Sequence, residues 1–320
     1  MRRSTGFALT VLVSVACVQF MAFAQVTRPD SVAPTHQLQP AFWMHIQKTS
    51  SWLGNFLLLW GCSLVRGMSP SSKEHMLYAH LARNLSRLQC EIPFYTGNFG
   101  FGYHVPLNIN MNRTAITLFR NPYDRVISSF MYGKGVHQIM FPLGFPDRAK
   151  RKFALRETIR KSEFPILSYV QLPGIASCQA KMTLGRECGE TAEVTSGDII
   201  EARRRIRFDL AFVGLTEESE ASARLFLAMY PIPFKDNTIS NEKRKKEEQS
   251  LLEAVNQAPR TNRDHTAQAN EDHKRVLLQH NWSDSADVGV YWEAVEVFYE
   301  RCQGYGIKTK YSKSILLAKL

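Results

Sequence analysis

Three short apolar runs, separated by long stretches with helical character, constrain the fold of this 320-residue chain most strongly. They span residues 42–47, Ala115–Phe119 and Leu210–Leu215. Strands so far apart along the chain need crossover connections, which place neighbouring strands parallel in one sheet. The sequence therefore predicts an α/β fold with a mainly parallel sheet. One large domain is expected, because 44% of the residues are hydrophobic and can bury a sizeable core.

Two of these runs lead into groups that bind anions. A strand that enters a small polar turn and then a helix directs backbone N–H groups and the positive helix end at an anion. After the second run, an arginine offers a fork-shaped donor, and a serine hydroxyl follows about two helical turns later. The pair of segments predicts a ligand with two separated phosphates. The residues expected to bind it are Lys48, Thr49, Ser50, Ser51, Arg120 and Ser128.

The same two segments carry a resemblance to the lumenal carbohydrate sulfotransferases. Residues 45–49, which read HIQKT, resemble that family's first phosphate-binding loop, His-Ile-Pro/Gln-Lys-Thr-Gly-Gly, which holds the 5′-phosphosulfate of the donor PAPS (3′-phosphoadenylyl sulfate). Residues 120–128 resemble its Arg-x-Pro-x-x-Arg-x-x-Ser segment, which holds the 3′-phosphate. Weaker similarities are residues 213–217 to a Val-Gly-Leu-Thr-Glu strand end, and Asp287 with Tyr291 to an Asp-x-x-x-Tyr before the last helix.

The resemblance implies a fold and an activity. The fold is a P-loop-NTPase-like central parallel sheet flanked by helices, forming a sulfotransferase domain over residues 41–320. The activity is transfer of a sulfuryl group from PAPS, a co-substrate, to a hydroxyl of a glycan or glycoconjugate acceptor. Within the second segment, Arg125 is interpreted as a structural ion-pair partner rather than a ligand contact.

The chemistry assigns further roles. In sulfuryl transfer the protein mainly positions the reactants and stabilises charge on the leaving oxygen, and Lys48 is the expected partner of that oxygen. His104, in a glycine-rich stretch between the two phosphate loops, is the first candidate for the general base, because a near-neutral intrinsic pKa suits proton removal from a hydroxyl. His45 is the second candidate, with burial in the core as its alternative interpretation. For Thr49, Ser50 and Ser51 the alternative is ordinary helix capping.

One departure from the family pattern leaves alternatives open. The family's Gly-Gly-Thr-Ser is replaced at residues 50–53 by Ser-Ser-Trp-Leu, which removes both glycines and introduces a large indole. A catalytically silent, lumenal glycan-binding relative is therefore one alternative. A P-loop kinase is the other, but the chain lacks G-x-x-x-x-G-K-[ST], and a kinase would leave the pairing of Arg120 with Ser128 unexplained.

The N-terminus is typical of a targeting segment. Arg2 and Arg3 precede an apolar stretch that ends near residue 24, and residues 25–40 contain three prolines and form a predicted stem. The resemblance favours an uncleaved signal anchor, hence a single-pass type II membrane protein with its catalytic domain in the Golgi lumen. Cleavage as a signal peptide, giving a secreted protein, and a transit peptide are the alternatives. Three acceptor sequons, at Asn84, Asn112 and Asn281, predict a glycoprotein if the domain is lumenal.

The charge of the chain favours acidic ligands. The formal net charge is +11, or 11 − 2 = +9 without the two arginines of the leader. Nucleic acid is not an expected partner, because no motif that binds it accompanies the charge. Two basic runs, at 203–207 and 243–246, are interpreted either as contacts to an anionic glycan or the nucleotide, or as solvated charges. No metal site is expected, because His75 and His80 would point to different faces of a helix.

The number of cysteines limits how the thiols of this chain can pair. Five cysteines follow the leader, so at least one is unpaired or bridges chains. Cys178 and Cys188 are the preferred disulfide, with two buried thiols as the alternative.

Helical spacing predicts a C-terminal helix with a buried face. The residues assigned to that face are Tyr291, Val295, Phe298 and Cys302, with Trp292 and Tyr299 beside them.

Overall fold

A computed structural model describes residues 41–49, 94–95, 106–107, 114–133, 159–230 and 267–318, with isolated positions at 157, 242, 245, 246, 249 and 252. These residues belong to one compact unit, Leu38–Leu320. The strands are β1 (Ala41–Trp43), β2 (Phe94–Tyr95), β3 (Ala115–Phe119) and β4 (Leu210–Leu215). The helices are α1 (Pro122–Gly133), α2 (Pro165–Val170), α3 (Cys178–Thr183), α4 (Ser196–Phe208), α5 (Ser219–Met229), α6 (Ala267–Gln279), α7 (Ser285–Gly304) and α8 (Lys313–Leu317).

The four strands form one parallel sheet in the order β2-β1-β3-β4. The predicted α/β class with a parallel sheet is therefore confirmed. Strands β3 and β4 have the predicted bounds, and their side chains are almost entirely buried. Continuous burial is expected for parallel strands, which are covered on both faces.

Strand β1 is shorter than predicted, ending at Trp43 instead of continuing to residue 47. The N–H of Met44 still donates to the carbonyl of Ile116, at 2.9 Å. The carbonyl of Met44, however, accepts from the Thr117 hydroxyl at 2.7 Å. A side chain thus occupies the acceptor that a longer backbone ladder would use, and the chain turns away from the sheet.

The main core surrounds β3 and β4. Helix α7 packs against β4 and α4, and α5 also packs against β4. Gly214 of β4 leaves room for the side chain of Leu118 on β3, because a Cβ at position 214 would lie 2.5 Å from Cδ2 of Leu118. A second core cluster joins α1, α2 and α6, with Val126, Tyr169 and Leu277 among its buried members.

The buried face of α7 largely follows the prediction. Tyr291, Val295, Phe298 and Cys302 are all buried. Trp292 departs from it, because its side chain is 42% exposed. It follows Tyr291 directly, and one residue on a helix turns the side chain by about 100°.

The disulfide prediction is confirmed by a bond between Cys178 and Cys188. It ties the first residue of α3 to the loop that follows the helix. Cys302 is a free, buried thiol. Residues 235–274 are rich in charge and poor in apolar side chains, which predicts a solvated helical excursion or partial disorder. Of these, residues 267–274 form the first part of α6, and those from 268 on are exposed or half-buried. Residues 52–60, which the sequence predicts to form the helix after the first loop, lie outside the described residues.

Candidate functional site

The sheet order places two loops at a natural ligand-binding position. From β1 the chain first reaches β2 on one side of the sheet and then β3 on the other. Because β1 and β3 are neighbouring and parallel, the loops leaving their carboxyl ends diverge from the same edge. Ligands of open α/β sheets bind in the crevice at such a switch point. The two segments that sequence reasoning selected for phosphate binding both begin there.

The two loops are in direct contact. Nη1 of Arg120, the first residue after β3, donates a hydrogen bond to the carbonyl of Lys48 at 3.1 Å. Lys48 has a φ of +67°, in the left-handed region. This conformation costs a residue with a Cβ about 1–2 kcal/mol, and such strain clusters at ligand sites. The structure therefore brings together the two basic residues that the sequence predicted to serve one ligand.

Thr49 stabilises the turn that carries Lys48. Its hydroxyl donates to the carbonyl of Ile46 at 2.9 Å, and its N–H reaches the same oxygen at 3.4 Å. The side chain is fully buried. In this structure Thr49 closes the turn, so a phosphate contact by Thr49 stays a prediction.

The electrostatics of the site favour an anion. Burial, and to a smaller extent the nearby Arg120 guanidinium, lower the pKa of Lys48 to about 8. Both effects penalise the charged ammonium. A bound phosphate would reverse the penalty, because it places negative charge beside two cations.

The side-chain amide of Gln179, on α3, hydrogen-bonds to the backbone of Arg120. The N–H of Arg120 donates to Oε1 of Gln179 at 2.9 Å, and Nε2 of Gln179 donates to the carbonyl of Arg120, also at 2.9 Å. Gln179 is fully buried, whereas the Arg120 side chain is only half-buried. The amide thus fixes the point at which the chain leaves β3.

Glu217, just beyond β4, holds the next residue of the same turn. Its Oε1 accepts from the N–H of Asn121 at 2.8 Å. Burial raises the pKa of Glu217, and the Asn121 N–H and the Arg120 charge oppose that rise. Burial and the Glu217 carboxylate likewise raise the pKa of Tyr291 on α7. The sequence singled out Glu217 and Tyr291 as motif residues, and the structure places them beside the Arg120 turn.

The start of α1 differs from the expected anion-binding helix end. Oδ1 of Asn121 accepts from the N–H groups of Tyr123 and Asp124, at 3.0 and 3.4 Å. The first turn also carries an acidic residue, Asp124. This cap satisfies two of the free N–H groups and complements the helix dipole. The helix end is thus capped by its own chain, and anion binding by the Arg120 side chain stays a prediction.

Arg125 is a structural residue, as the sequence predicted. Its Nε pairs with Oδ2 of Asp287 at 3.2 Å, and both side chains are fully buried. Its Nη2 donates to the carbonyl of Ile175 at 3.1 Å, and Oδ1 of Asp287 accepts from the N–H of Ala180 at 3.0 Å. The ion pair joins α1, α3 and α7 beneath the candidate site.

The remaining predicted residues fall in different places. His45 is buried two residues beyond the end of β1, with its ring stacked on Trp43 at a centroid distance of 6.2 Å. Ser128 is half-buried on α1, while its neighbour Ser129 shares a 2.5 Å hydrogen bond with the Tyr169 hydroxyl. His104, Ser50 and Ser51 lie outside the described residues.

The first basic run, at 203–207, is engaged in ion pairs within the chain. The partners lie on α4 itself, at its end, and on α7. The pairs are Arg203–Glu293, Arg204–Glu201, Arg204–Asp209, Arg205–Glu201, Arg207–Glu293 and Arg207–Glu300. Of the second run, Lys245 and Lys246 are exposed, and residues 243–244 lie outside the described part of the chain.

Comparisons of the chain with protein-family models, curated proteins and solved structures found no match. In the part of the chain that the structure describes, no group of His, Cys, Asp and Glu side chains could hold a metal ion. Among those same residues, no helix combines the length and apolar character needed to cross a bilayer.

Proposed function

We propose that the chain is a PAPS-dependent carbohydrate sulfotransferase with a P-loop-like α/β fold. The observation that carries the proposal is the contact between Arg120 and the Lys48 carbonyl at the carboxyl ends of two neighbouring parallel strands. Two cations from separate loops lie close together there, and the donor offers two phosphate groups to them. The motif order along the sequence supplies the choice of PAPS among phosphate ligands.

The proposed roles follow from the reaction. An acceptor hydroxyl attacks the donor sulfur, a new oxygen–sulfur bond forms, and the bond from sulfur to the 5′-phosphate oxygen breaks. Lys48 stabilises the charge that develops on that leaving oxygen, which is the main catalytic need in such transfers. Arg120 binds the 3′-phosphate, with Ser128 as a second donor. The acceptor proton goes to a base, for which His104 is the first candidate and His45 the second.

The proposed compartment is the Golgi lumen, with residues 1–24 as signal anchor and residues 25–40 as stem. The disulfide between Cys178 and Cys188 supports an oxidising compartment, because such bonds are rare in the cytosol. Asn281, the acceptor of the third sequon, is exposed, so it is accessible to glycosylation. The carbohydrate acceptor itself rests on the family resemblance alone.

The test is transfer of labelled sulfate from PAPS to a panel of glycans. The proposal predicts transfer to at least one acceptor, with turnover depressed more than PAP affinity in Lys48→Ala, because Lys48 acts mainly on the transition state. PAP is adenosine 3′,5′-bisphosphate, the product that remains after transfer. Tight PAP binding without transfer to any glycan would identify the silent glycan-binding relative. Binding of ATP in preference to PAP would identify the kinase.

Substituting each of the two candidate histidines in turn tests which one is the general base. His104→Ala should reduce transfer by roughly 10²- to 10⁴-fold with PAP affinity retained, the range for one lost proton-transfer group. His45→Ala is the matched comparison. Loss of activity in the His45 variant alone, with the fold intact, would assign the base to His45.

A further inference from the structure

We propose that Gln179 is a positioning residue for Arg120, which sets the direction in which the guanidinium enters the phosphate crevice. The inference rests on the proposed function for the identity of the ligand. Its geometric basis is independent of that ligand. It assigns a role in the site to a residue of α3, an element that sequence reasoning connected only with a disulfide.

The Gln179 side chain makes both of its hydrogen bonds to the backbone of Arg120. The amide of Gln179 accepts from the N–H of Arg120 and donates to its carbonyl, both at 2.9 Å. The two bonds are complementary, so they fix which end of the amide faces which backbone group. Because Gln179 is fully buried, loss of the amide would leave two backbone groups without their partner.

The helix that carries Gln179, α3, is anchored by a disulfide and by hydrogen bonds to α7 and the residue before it. Helix α3 has only six residues, too few to be stable by helix propensity alone. The Cys178–Cys188 disulfide anchors its first residue. Asp284 accepts from the N–H of Ser177 at 2.6 Å, and Asp287 from that of Ala180 at 3.0 Å. These contacts hold the residues before and after Gln179. We therefore expect its amide to stay in place if Arg120 moves.

Arg120 depends on this contact because the sheet ends before it. The last ladder bond on this side runs from the N–H of Thr216 to the carbonyl of Phe119, at 2.9 Å. Beyond it, the turn is held by Gln179 at Arg120 and by Glu217 at Asn121. Phosphate recognition by a guanidinium is directional, so a small shift of this turn should weaken binding.

The first test is a double-mutant cycle with Gln179→Leu and Arg120→Ala, measured by calorimetric titration of PAP and adenosine 5′-phosphate. Gln179→Leu should weaken PAP by about tenfold and leave adenosine 5′-phosphate nearly unchanged, and it should add no further loss in the Arg120→Ala background. Equal losses for both nucleotides, or additive losses in the double variant, would overturn the proposal. Thr183→Val is the matched control, because it removes a buried 2.8 Å bond of the same helix, from the Thr183 hydroxyl to the Gln179 carbonyl, without touching Arg120.

A second readout needs no nucleotide and separates this proposal from the proposed function. The pH midpoint of Lys48 acylation, followed by mass spectrometry, reports the pKa of the Lys48 ammonium, which burial and then the nearby Arg120 charge both lower. Gln179→Leu should raise that midpoint toward the value found in Arg120→Ala, and an unchanged midpoint would refute positioning even if wild-type protein bound no PAP. Should Gln179→Leu fail to fold, Gln179→Met removes both bonds to the Arg120 backbone with an uncharged side chain of similar length. That variant should shift the midpoint in the same direction, and no shift would overturn the proposal.

Discussion

Nucleotide binding should weaken as the pH rises through about 8, the pKa to which burial and then Arg120 lower the Lys48 ammonium. A bound phosphate favours the charged form of Lys48 and so raises its pKa. Below this pH the free protein already carries the proton that the complex needs. Above it, binding must take up a proton, and the apparent affinity falls.

The expected size of the effect follows from the titration curve. With a pKa of about 8, Lys48 is about nine-tenths protonated at pH 7 and about one-tenth protonated at pH 9. If the bound phosphate restores the ordinary lysine pKa, the Kd for PAP should rise about tenfold over this interval, or about 1.4 kcal/mol. The phosphate groups contribute little, since their second pKa is about 6.

Calorimetric titration of PAP at several pH values, in buffers of different ionisation enthalpy, measures both the Kd and the proton uptake. Lys48→Arg is the control, because a guanidinium stays charged throughout and its profile should be flat. A wild-type Kd that is equal at pH 7 and pH 9, with no proton uptake, would refute the placement of Lys48 against the phosphate.

Two stability predictions follow from the core. Asp287→Ala should lower the unfolding free energy by about 3–5 kcal/mol, because it leaves the fully buried Arg125 guanidinium without its carboxylate; a loss below about 1 kcal/mol in urea denaturation would contradict this. Gly214→Ala should cost about 1–3 kcal/mol, because its Cβ would lie 2.5 Å from Cδ2 of Leu118. Gly304→Ala is the matched control, since nothing lies within 4 Å of its Cβ, and equal melting temperatures for the two variants would argue against the clash.

The parts of the fold that follow a strong local pattern were predictable. Strands β3 and β4 are continuous apolar runs whose residues are almost entirely buried, so their bounds matched. Strand β2 was missed, because it contains only two residues and is defined by its pairing with β1 rather than by its own sequence. The sheet order also depends on long-range pairing, and no local pattern specifies it.

In the candidate site, too, residues next to a strong local pattern were predictable, and residues joined by long-range contacts were not. Lys48 and Arg120 were predictable because each follows an apolar run directly in sequence. The residues that hold the Arg120 turn were not assigned that role, because their bonds join positions 59 apart for Gln179 and 96 apart for Glu217. Glu217 did appear within a motif resemblance. Gln179 had no such signal, apart from its position next to a predicted disulfide cysteine.

The ion pairs of the first basic run were only partly predictable. Glu201 and Asp209 are close to the arginines in sequence. Arg203 and Arg207, in contrast, pair with Glu293, which lies 90 and 86 residues further along the chain on α7. This partner comes within reach only when α4 packs against α7.

The central claim is that Arg120 and Lys48 form one crevice for a ligand with two phosphates, and Arg120→Ala tests it most directly. The measurement is the affinity of wild-type and variant protein for PAP and for adenosine 5′-phosphate. We expect wild-type protein to prefer PAP, and Arg120→Ala to lose most of that preference while it retains its affinity for adenosine 5′-phosphate, because a charge-assisted bidentate contact to the 3′-phosphate disappears. Equal affinities of the wild-type protein for the two nucleotides, or an equal loss for both in the variant, would contradict the account.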